Sequence, residues 1–234
     1  MTDTSPAESR TPPLSDAAIG AVAALLRVSE LYDPAVAHRA GLRALLASRL
    51  AAHVDTSVDR SVLIATAALA DVDLTITRPN EPEANHDTMR TLLADTLLGR
   101  LPGLRDVAHG VRSHLEWWDG NGAPDALSGD EIPIAARVAA VTDVLVGDPA
   151  AGFVPSWDHS RRRLLRTQGT KLDPYLCQVA SSIELDDLEA PAIPSDAITE
   201  LLEQNRFADP TSEPSDSATT IKSCLLYTSD AADD

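Results

Sequence analysis

The stretch from Ser61 to Ala70 is an almost unbroken run of small and apolar residues. It is too short to cross a bilayer, which requires about 20 apolar residues. Its alanine and leucine content favours helix over strand. A helix with apolar residues on all of its faces must pack against other parts of the protein on all of them. The run therefore predicts a helix that is buried on most of its surface.

The rest of the chain favours the same secondary structure. Aromatic residues make up only 3% of the 234 residues, and alanine and leucine are abundant. Apolar residues recur at helical spacing in several segments, as in Ile19, Val22, Leu25 and Leu26 after a candidate N-cap at Ser15. We therefore predict one all-α domain over residues 15–185, with disordered tails on either side.

The two ends differ from this domain in composition. Residues 1–14 are rich in Ser, Thr and Pro and predict a disordered arm. Residues 186–223 are strongly acidic, which predicts a solvated, mobile segment. Residues 224–234 resemble a translated sequencing adapter, and we expect them to be an artefact without structural meaning.

Charge and cysteine content exclude several classes of function. The formal net charge is -17, which argues against DNA or RNA as a partner because phosphate backbones are bound by clustered cations. Two cysteines give no disulfide framework, and no run is long and apolar enough for a membrane span. The polar start carries no secretory signal, so we expect a cytoplasmic protein.

One motif carries the chemical information. It runs His114-Leu115-Glu116-Trp117-Trp118-Asp119-Gly120-Asn121-Gly122-Ala123-Pro124, and a helical segment from Arg137 to Asp143 follows. This arrangement resembles the signature of the HD-GYP phosphodiesterases, and the Gly169–Pro174 segment resembles the element that closes their domains. The resemblance covers residues 31–182 and implies an HD-type helical bundle whose His and Asp side chains hold manganese or iron for phosphodiester cleavage.

The resemblance also implies roles for particular residues. It assigns the metal-ligand positions to His38, Asp71, His114 and Asp143. Asp71 would bridge two metals and take part in catalysis. Glu116 would support catalysis by orienting the ligands.

Several chemical residues of the family are missing. Ala70, Arg90 and Leu115 stand where the family has ligand histidines, and Ala123 replaces the family's Tyr. An arginine cannot ligate a metal because it has no free lone pair. The chain is therefore identified as a degenerate member with an incomplete site, which leaves one weakly held metal or none.

Two further features have alternative interpretations. Trp118, Asp119 and Gly122 are candidates for substrate binding because an aromatic face can stack on guanine, or they anchor a loop to the core. The basic cluster of Arg161, Arg162, Arg163 and Arg166 contacts a phosphate or an acidic partner, or it is a solvated helix face.

Three functional hypotheses follow. The first is a catalytically impaired regulatory or interaction module in bacterial signalling, with a cyclic dinucleotide or a signalling protein as its partner. The second is an active metal-dependent phosphodiesterase that cleaves cyclic di-GMP or a related phosphoester. The third is a nucleotide sensor that binds without cleaving. Oligomer formation is compatible with all three.

Overall fold

The computed structural model describes residues 10–54, 56–72, 86–147, 157–183 and 193–206. Within these ranges the chain forms helices and no β-strand, which confirms the all-α prediction. The α-helices are α1 (Asp16–Tyr32), α2 (Pro34–Ala51), α3 (Arg60–Leu69), α4 (His86–Leu98), α5 (Arg105–Ser113), α6 (Ile134–Val146), α7 (Trp157–Thr167), α8 (Pro174–Ser182) and α9 (Ser195–Asn205). None of the described helices is long and apolar enough to span a membrane.

Helix α3 lies at the centre of the bundle. Every one of its residues is buried, as its apolar sequence predicts. Helices α2, α5, α6 and α9 all pack against it. Gly110 permits a close approach of α5 to α3, because a Cβ atom there would come within 2.7 Å of the Thr66 side chain. The centre of the bundle is thus filled with side chains rather than left open.

Local sequence signals set where the helices begin. Ser15 caps α1 by accepting a hydrogen bond from the backbone N–H of Ala18 at 3.2 Å, as predicted. Asp33 and Asp173 cap α2 and α8 in the same way, and each is followed by a proline at the first helical position. These caps fix the first residues of α2 and α8 through contacts between neighbours in the sequence.

Two segments differ from the sequence-based expectation. The sequence after the Pro102-Gly103 turn predicts a helix from about Leu104 to Trp117. In the structure this helix, α5, ends at Ser113, so His114 and Glu116 lie in the turn and loop that follow. Within the acidic region 186–223, residues Ser195–Asn205 form α9, whose Ile198, Leu201 and Leu202 are buried against α1 and α2. The expectation of a mobile acidic segment therefore does not hold for α9, because apolar burial outweighs charge there.

The end of the predicted N-terminal arm also contacts the bundle. Leu14 is buried, and its backbone N–H donates to Ser61 Oγ at 3.2 Å. Most of the predicted arm (1–9) and the whole 224–234 region lie outside the described residues.

Candidate functional site

Four charged side chains meet where α2, α3 and α6 come together. Arg39 and Arg43 lie one turn apart on α2, Asp71 follows α3, and Asp143 lies in α6. Each arginine contacts both aspartates. We call this group the Arg–Asp quartet.

Ion pairs link the members of the quartet. Asp71 Oδ2 lies 3.1 Å from Arg39 Nε and 2.8 Å from Arg43 Nη1. Asp143 Oδ1 lies 2.9 Å from Arg39 Nη2 and also contacts Arg43 Nη2. With two positive and two negative groups, the quartet has no formal net charge. Each carboxylate is therefore already balanced by guanidinium groups.

Burial makes these pairs hard to separate. The Arg43 side chain is 2% exposed and that of Asp71 is 9% exposed. Burial acts to lower the pKa of Arg43, but Asp143 and Asp71 outweigh it, so the pKa is raised. Arg43 therefore stays charged at any working pH, and removing it would leave the buried Asp71 carboxylate with Arg39 as its remaining partner in the quartet.

His114 lies close enough to the quartet for its charges to act on the imidazole. Its Nδ1 is 2.7 Å from the carbonyl oxygen of Val111. Because a carbonyl can only accept, this nitrogen carries the proton and the other ring nitrogen keeps its lone pair in the neutral form. The pKa of His114 is lowered mainly by burial. The ring is therefore neutral at neutral pH.

His38 does not join the quartet. It lies on α2 and is half-buried, and its Nδ1 has no hydrogen-bond partner among the described residues. Burial alone lowers its pKa, with no contribution from Asp71 or Asp143. Arg39, the next residue on the helix, makes the contacts with both aspartates instead.

The described side chains around Asp71 and Asp143 do not form a donor set that fits a divalent metal. Within the described ranges, no three His, Cys, Asp or Glu side chains come together as a group that could hold one. The carboxylates predicted as metal ligands are paired with arginines, and Ala70 and Leu115 supply no donor atom. A metal entering here would face two guanidinium groups at short range.

Glu116 is buried in the loop after α5 and holds that loop in shape. Its carboxylate accepts hydrogen bonds from the backbone N–H groups of Asp125 at 2.6 Å and Leu127 at 3.1 Å. Arg112 adds a two-pronged pair with Asp125, with both nitrogen–oxygen distances at 2.7 Å. These contacts stabilise the loop. Among the described residues, Glu116 makes no contact that supports its predicted catalytic role.

The predicted substrate-binding residues belong to the same loop. The Arg137 guanidinium lies 5.7 Å from the ring centre of Trp118. Asp119 accepts from the backbone N–H of Asn121 at 3.0 Å, and its own N–H donates to the Thr170 carbonyl. A Cβ atom on Gly122 would overlap the backbone nitrogen of Trp117, so only glycine fits there. Each residue thus has a contact that shapes the loop, while a role in substrate binding stays a prediction.

A pocket of about 300 Å³ opens beside His114 and Asp143. Its wall includes Trp117 and three cations, Arg163, Arg166 and Lys171. The Lys171 ammonium group lies over the Trp117 ring, 4.2 Å from its centre. Sequence reasoning had marked the arginines only as a basic cluster and had not connected them with His114.

Sequence reasoning missed Arg39 and Arg43 altogether. A signal was present, because Arg43 lies between Leu42 and Leu45 in a stretch of α2 that is buried on nearly all sides. An arginine in such a stretch needs a buried acidic partner. Only the packing of α2 against the ends of α3 and α6 shows which carboxylates those are.

Comparisons with known proteins agree with this fold. Residues 80–148 match the family model described as an HD domain. Over 70 residues the chain is 34% identical to a 3'3'-cGAMP-specific phosphodiesterase of Vibrio cholerae serotype O1, covering 29% of this chain and 13% of that protein. It is also 34% identical over 87 residues to a probable cyclic di-GMP phosphodiesterase of the same organism, covering 36% of this chain and 20% of the relative.

A solved structure extends the comparison to nearly the whole chain. The crystal structure of a cyclic GMP-AMP specific phosphodiesterase of Vibrio cholerae matches with a TM-score of 0.58 and 16% sequence identity, covering 94% of this chain and 61% of that one. At that identity the structural match shows the fold alone. The matched stretches span a quarter or less of the length of the curated relatives. The HD-domain match, the phosphodiesterase relatives and the helical bundle all agree with the resemblance of this chain to the HD-GYP family.

Proposed function

We propose that this domain no longer hydrolyses phosphodiesters and works as a regulatory or interaction module in bacterial signalling. The observation that carries the proposal is the Arg–Asp quartet. Asp71 and Asp143, the two carboxylates that the family pattern assigns to metals, each pair with Arg39 and Arg43.

The chemistry of arginine supports this proposal. HD-type hydrolysis depends on metals that lower the pKa of a bound water and polarise the phosphate. A guanidinium supplies positive charge but cannot coordinate a water or generate hydroxide. It therefore preserves the charge balance that holds α2, α3 and α6 together without supplying the reactive group.

Metal entry would also be costly. Freeing one carboxylate means separating it from two guanidinium groups, one of which, on Arg43, is almost fully buried. Separating a buried pair costs about 3–5 kcal/mol. The retained imidazole of His114 does not offset that cost alone, because a metal needs four or more ligands.

Metal content, measured by mass spectrometry, is the first test. The full chain is purified without chelator, incubated with manganese or iron, and desalted. We expect well below one metal ion per chain and no turnover of cyclic di-GMP. About two metals per chain, with turnover that disappears in Asp71→Ala, would overturn the proposal and favour an active phosphodiesterase.

A matched variant serves as the control for substitutions in the quartet. Glu131 is exposed, accepts hydrogen bonds from Ser128 and lies outside the quartet, so Glu131→Gln keeps the centre unchanged. Its metal content should equal that of the unmodified chain. An active relative assayed in parallel shows that the metals and the substrate are competent.

A further inference from the structure

Helix α1 has an exposed apolar face in addition to its buried one. The buried face packs into the core through residues such as Ile19 and Leu26. Val28, Leu31 and Tyr32 lie on another side of the helix and are 56%, 83% and 61% exposed. They are three of the five large hydrophobic residues that the described part of the chain exposes. A group of exposed apolar side chains on one face marks an interaction surface.

The residues of this face follow a regular spacing. Steps of four and three residues alternate along Ala17, Ala21, Ala24, Val28 and Leu31, which we call the α1 stripe. This is the heptad spacing by which one helix packs along another. At 1.5 Å per residue the α1 stripe is about 21 Å long. Ala21 is half-buried and the other four residues are exposed.

The charged side chains of α1 lie on the side that faces α9. Ser195 Oγ of α9 donates to Glu30 Oε2 at 2.8 Å and accepts from Arg27 Nη1 at 3.3 Å. Asp16 contacts Arg206, which follows α9. The α1 stripe therefore has no charged member, although the chain carries a formal charge of -17. Two copies of the chain can meet there without bringing like charges into contact.

Gly20 lies next to the α1 stripe, three residues after Ala17 and four before Ala24. Glycine is less favourable than alanine inside a helix. A Cβ atom at this position would meet no described atom within 4 Å, so the packing of the domain itself does not require a glycine. A glycine on an exposed helix face lets another backbone approach closely. A partner helix accounts for Gly20, whereas the contacts within the domain do not.

The sizes of the residues indicate that the partner is a second copy of this chain. The first part of the α1 stripe consists of alanines and the second part of Val28 and Leu31. When two such helices run antiparallel, Leu31 of one copy faces Ala21 of the other, and Val28 faces Ala24. Each large side chain then packs against a small one. The same surface serves both copies, as two-fold symmetry requires.

We infer that α1 pairs with α1 of a second copy, antiparallel, through the α1 stripe. One pair of helices about 21 Å long and about 10 Å wide covers less area than the roughly 800 Å² per partner of a standard interface. The expected dissociation constant is therefore micromolar. The inference goes beyond the proposed function and does not depend on it, because α1 carries no residue of the Arg–Asp quartet.

Sedimentation equilibrium of the full chain tests the inference. Reducing agent is present, so that disulfides through Cys224 do not contribute. Between about 1 and about 300 µM, the average mass should rise from one chain towards two. Leu31→Asp should weaken the association about tenfold or more, because it places a charge in the apolar contact.

Leu165→Asp is the matched control for Leu31→Asp. Leu165 is also an exposed leucine, at 52%, and it lies on α7 outside the α1 stripe. The same change of side chain and charge there should leave the association unchanged. Circular dichroism confirms that both variants remain helical, so a loss of association is not a loss of folding.

Disulfide cross-linking tests the direction of the pairing. Ala21→Cys and Leu31→Cys are each made in a Cys224→Ser background, mixed and oxidised. Antiparallel pairing places these two positions opposite each other, so the mixed disulfide should form. Two copies of the same position lie about 15 Å apart along the axis, too far for a disulfide. Each variant alone should therefore cross-link little.

Two results overturn the inference. One is a single-chain mass over the whole concentration range, and the other is equal weakening by Leu31→Asp and Leu165→Asp. Cross-linking of each variant with itself, in preference to the mixed disulfide, overturns the antiparallel arrangement. Phosphodiesterase turnover by metal-loaded protein would refute the proposed function instead, and it would leave the mass of the chain in solution unchanged.

Discussion

The centre of the bundle and the loop after α5 keep different parts of the family pattern. In the centre, Ala70 and Leu115 stand where ligand histidines are expected, and two arginines pair with the aspartates that remain. In the loop, Glu116 and Gly122 keep their residue types and make close backbone contacts. The loop thus keeps residues of the family pattern that shape the fold, whereas the centre has other residues at two metal-ligand positions.

The difference has a physical basis. Loss of an imidazole from the centre removes a metal ligand but leaves a space that an apolar side chain can fill. Loss of Glu116 would leave the part-buried backbone N–H groups of Asp125 and Leu127 without this acceptor, which destabilises the loop. Under the proposed function, substitutions in the centre are therefore tolerated more readily than substitutions in the loop.

The largest effect we predict breaks the quartet. Arg43→Ala should lower the free energy of unfolding by about 3–5 kcal/mol, because Asp71 remains buried with less positive charge beside it. Urea unfolding at pH 7 measures the loss. Arg43→Met/Asp71→Asn, which removes one charge of each sign, should recover part of it. A loss below about 1 kcal/mol in Arg43→Ala would show that the centre does not depend on the pairs.

A smaller effect is predicted in the loop. Glu116→Gln should lower the free energy of unfolding by about 2 kcal/mol, because the amide offers one acceptor oxygen where the carboxylate offers two. Hydrogen exchange should show faster exchange at the amides of Asp125 and Leu127. Glu131→Gln, at an exposed position in the same region, is the control and should change the stability less. Unchanged exchange in Glu116→Gln would mean that the loop is held by other contacts.

The smallest effect concerns the partly exposed pair that fastens the loop to α5. Arg112→Gln should cost about 0.5–1 kcal/mol at pH 7, because solvent screens the Arg112–Asp125 attraction. The hydrogen bond from Arg112 lowers the pKa of Asp125 below 3.8. The Arg112–Asp125 pair therefore stabilises the fold above the unfolded-state pKa of Asp125. This contribution disappears as the pH falls through the lower folded-state pKa.

Urea midpoints at pH 7, 5 and 3 check this pH dependence. The difference between Arg112→Gln and the unmodified chain should be similar at pH 7 and 5 and smaller at pH 3. The difference in urea midpoint between Asp125→Asn and Arg112→Gln should change little from pH 7 to pH 3. A difference that persists undiminished at pH 3 would contradict the assigned role of Asp125.

Much of the fold could be predicted because its signals are local. Ser15 and the Asp33-Pro34 pair mark helix starts by capping chemistry that involves only neighbouring residues. The apolar run of α3 required burial wherever it was placed. Helix α9 was missed because net charge over a long segment obscured the apolar pattern of Ile198, Leu201 and Leu202.

The site was less predictable. The family resemblance identified Asp71 and Asp143 as residues of one centre, and the structure places them within reach of the same two arginines. The resemblance did not identify those arginines, and the one sequence signal for them, the apolar surroundings of Arg43 in α2, does not name their acidic partners. Nor did it connect Arg163 with His114, which are far apart in sequence and line one pocket.

The sequence by itself determined an all-α chain, the capped starts of α1, α2 and α8, the buried central helix and the absence of several family histidines. These features depend on side-chain chemistry and on neighbours a few residues away. The tertiary structure decided that Arg39 and Arg43 neutralise the remaining aspartates and that three cations share a pocket beside them. Such contacts join residues up to about a hundred positions apart, so they exist only once the helices have packed.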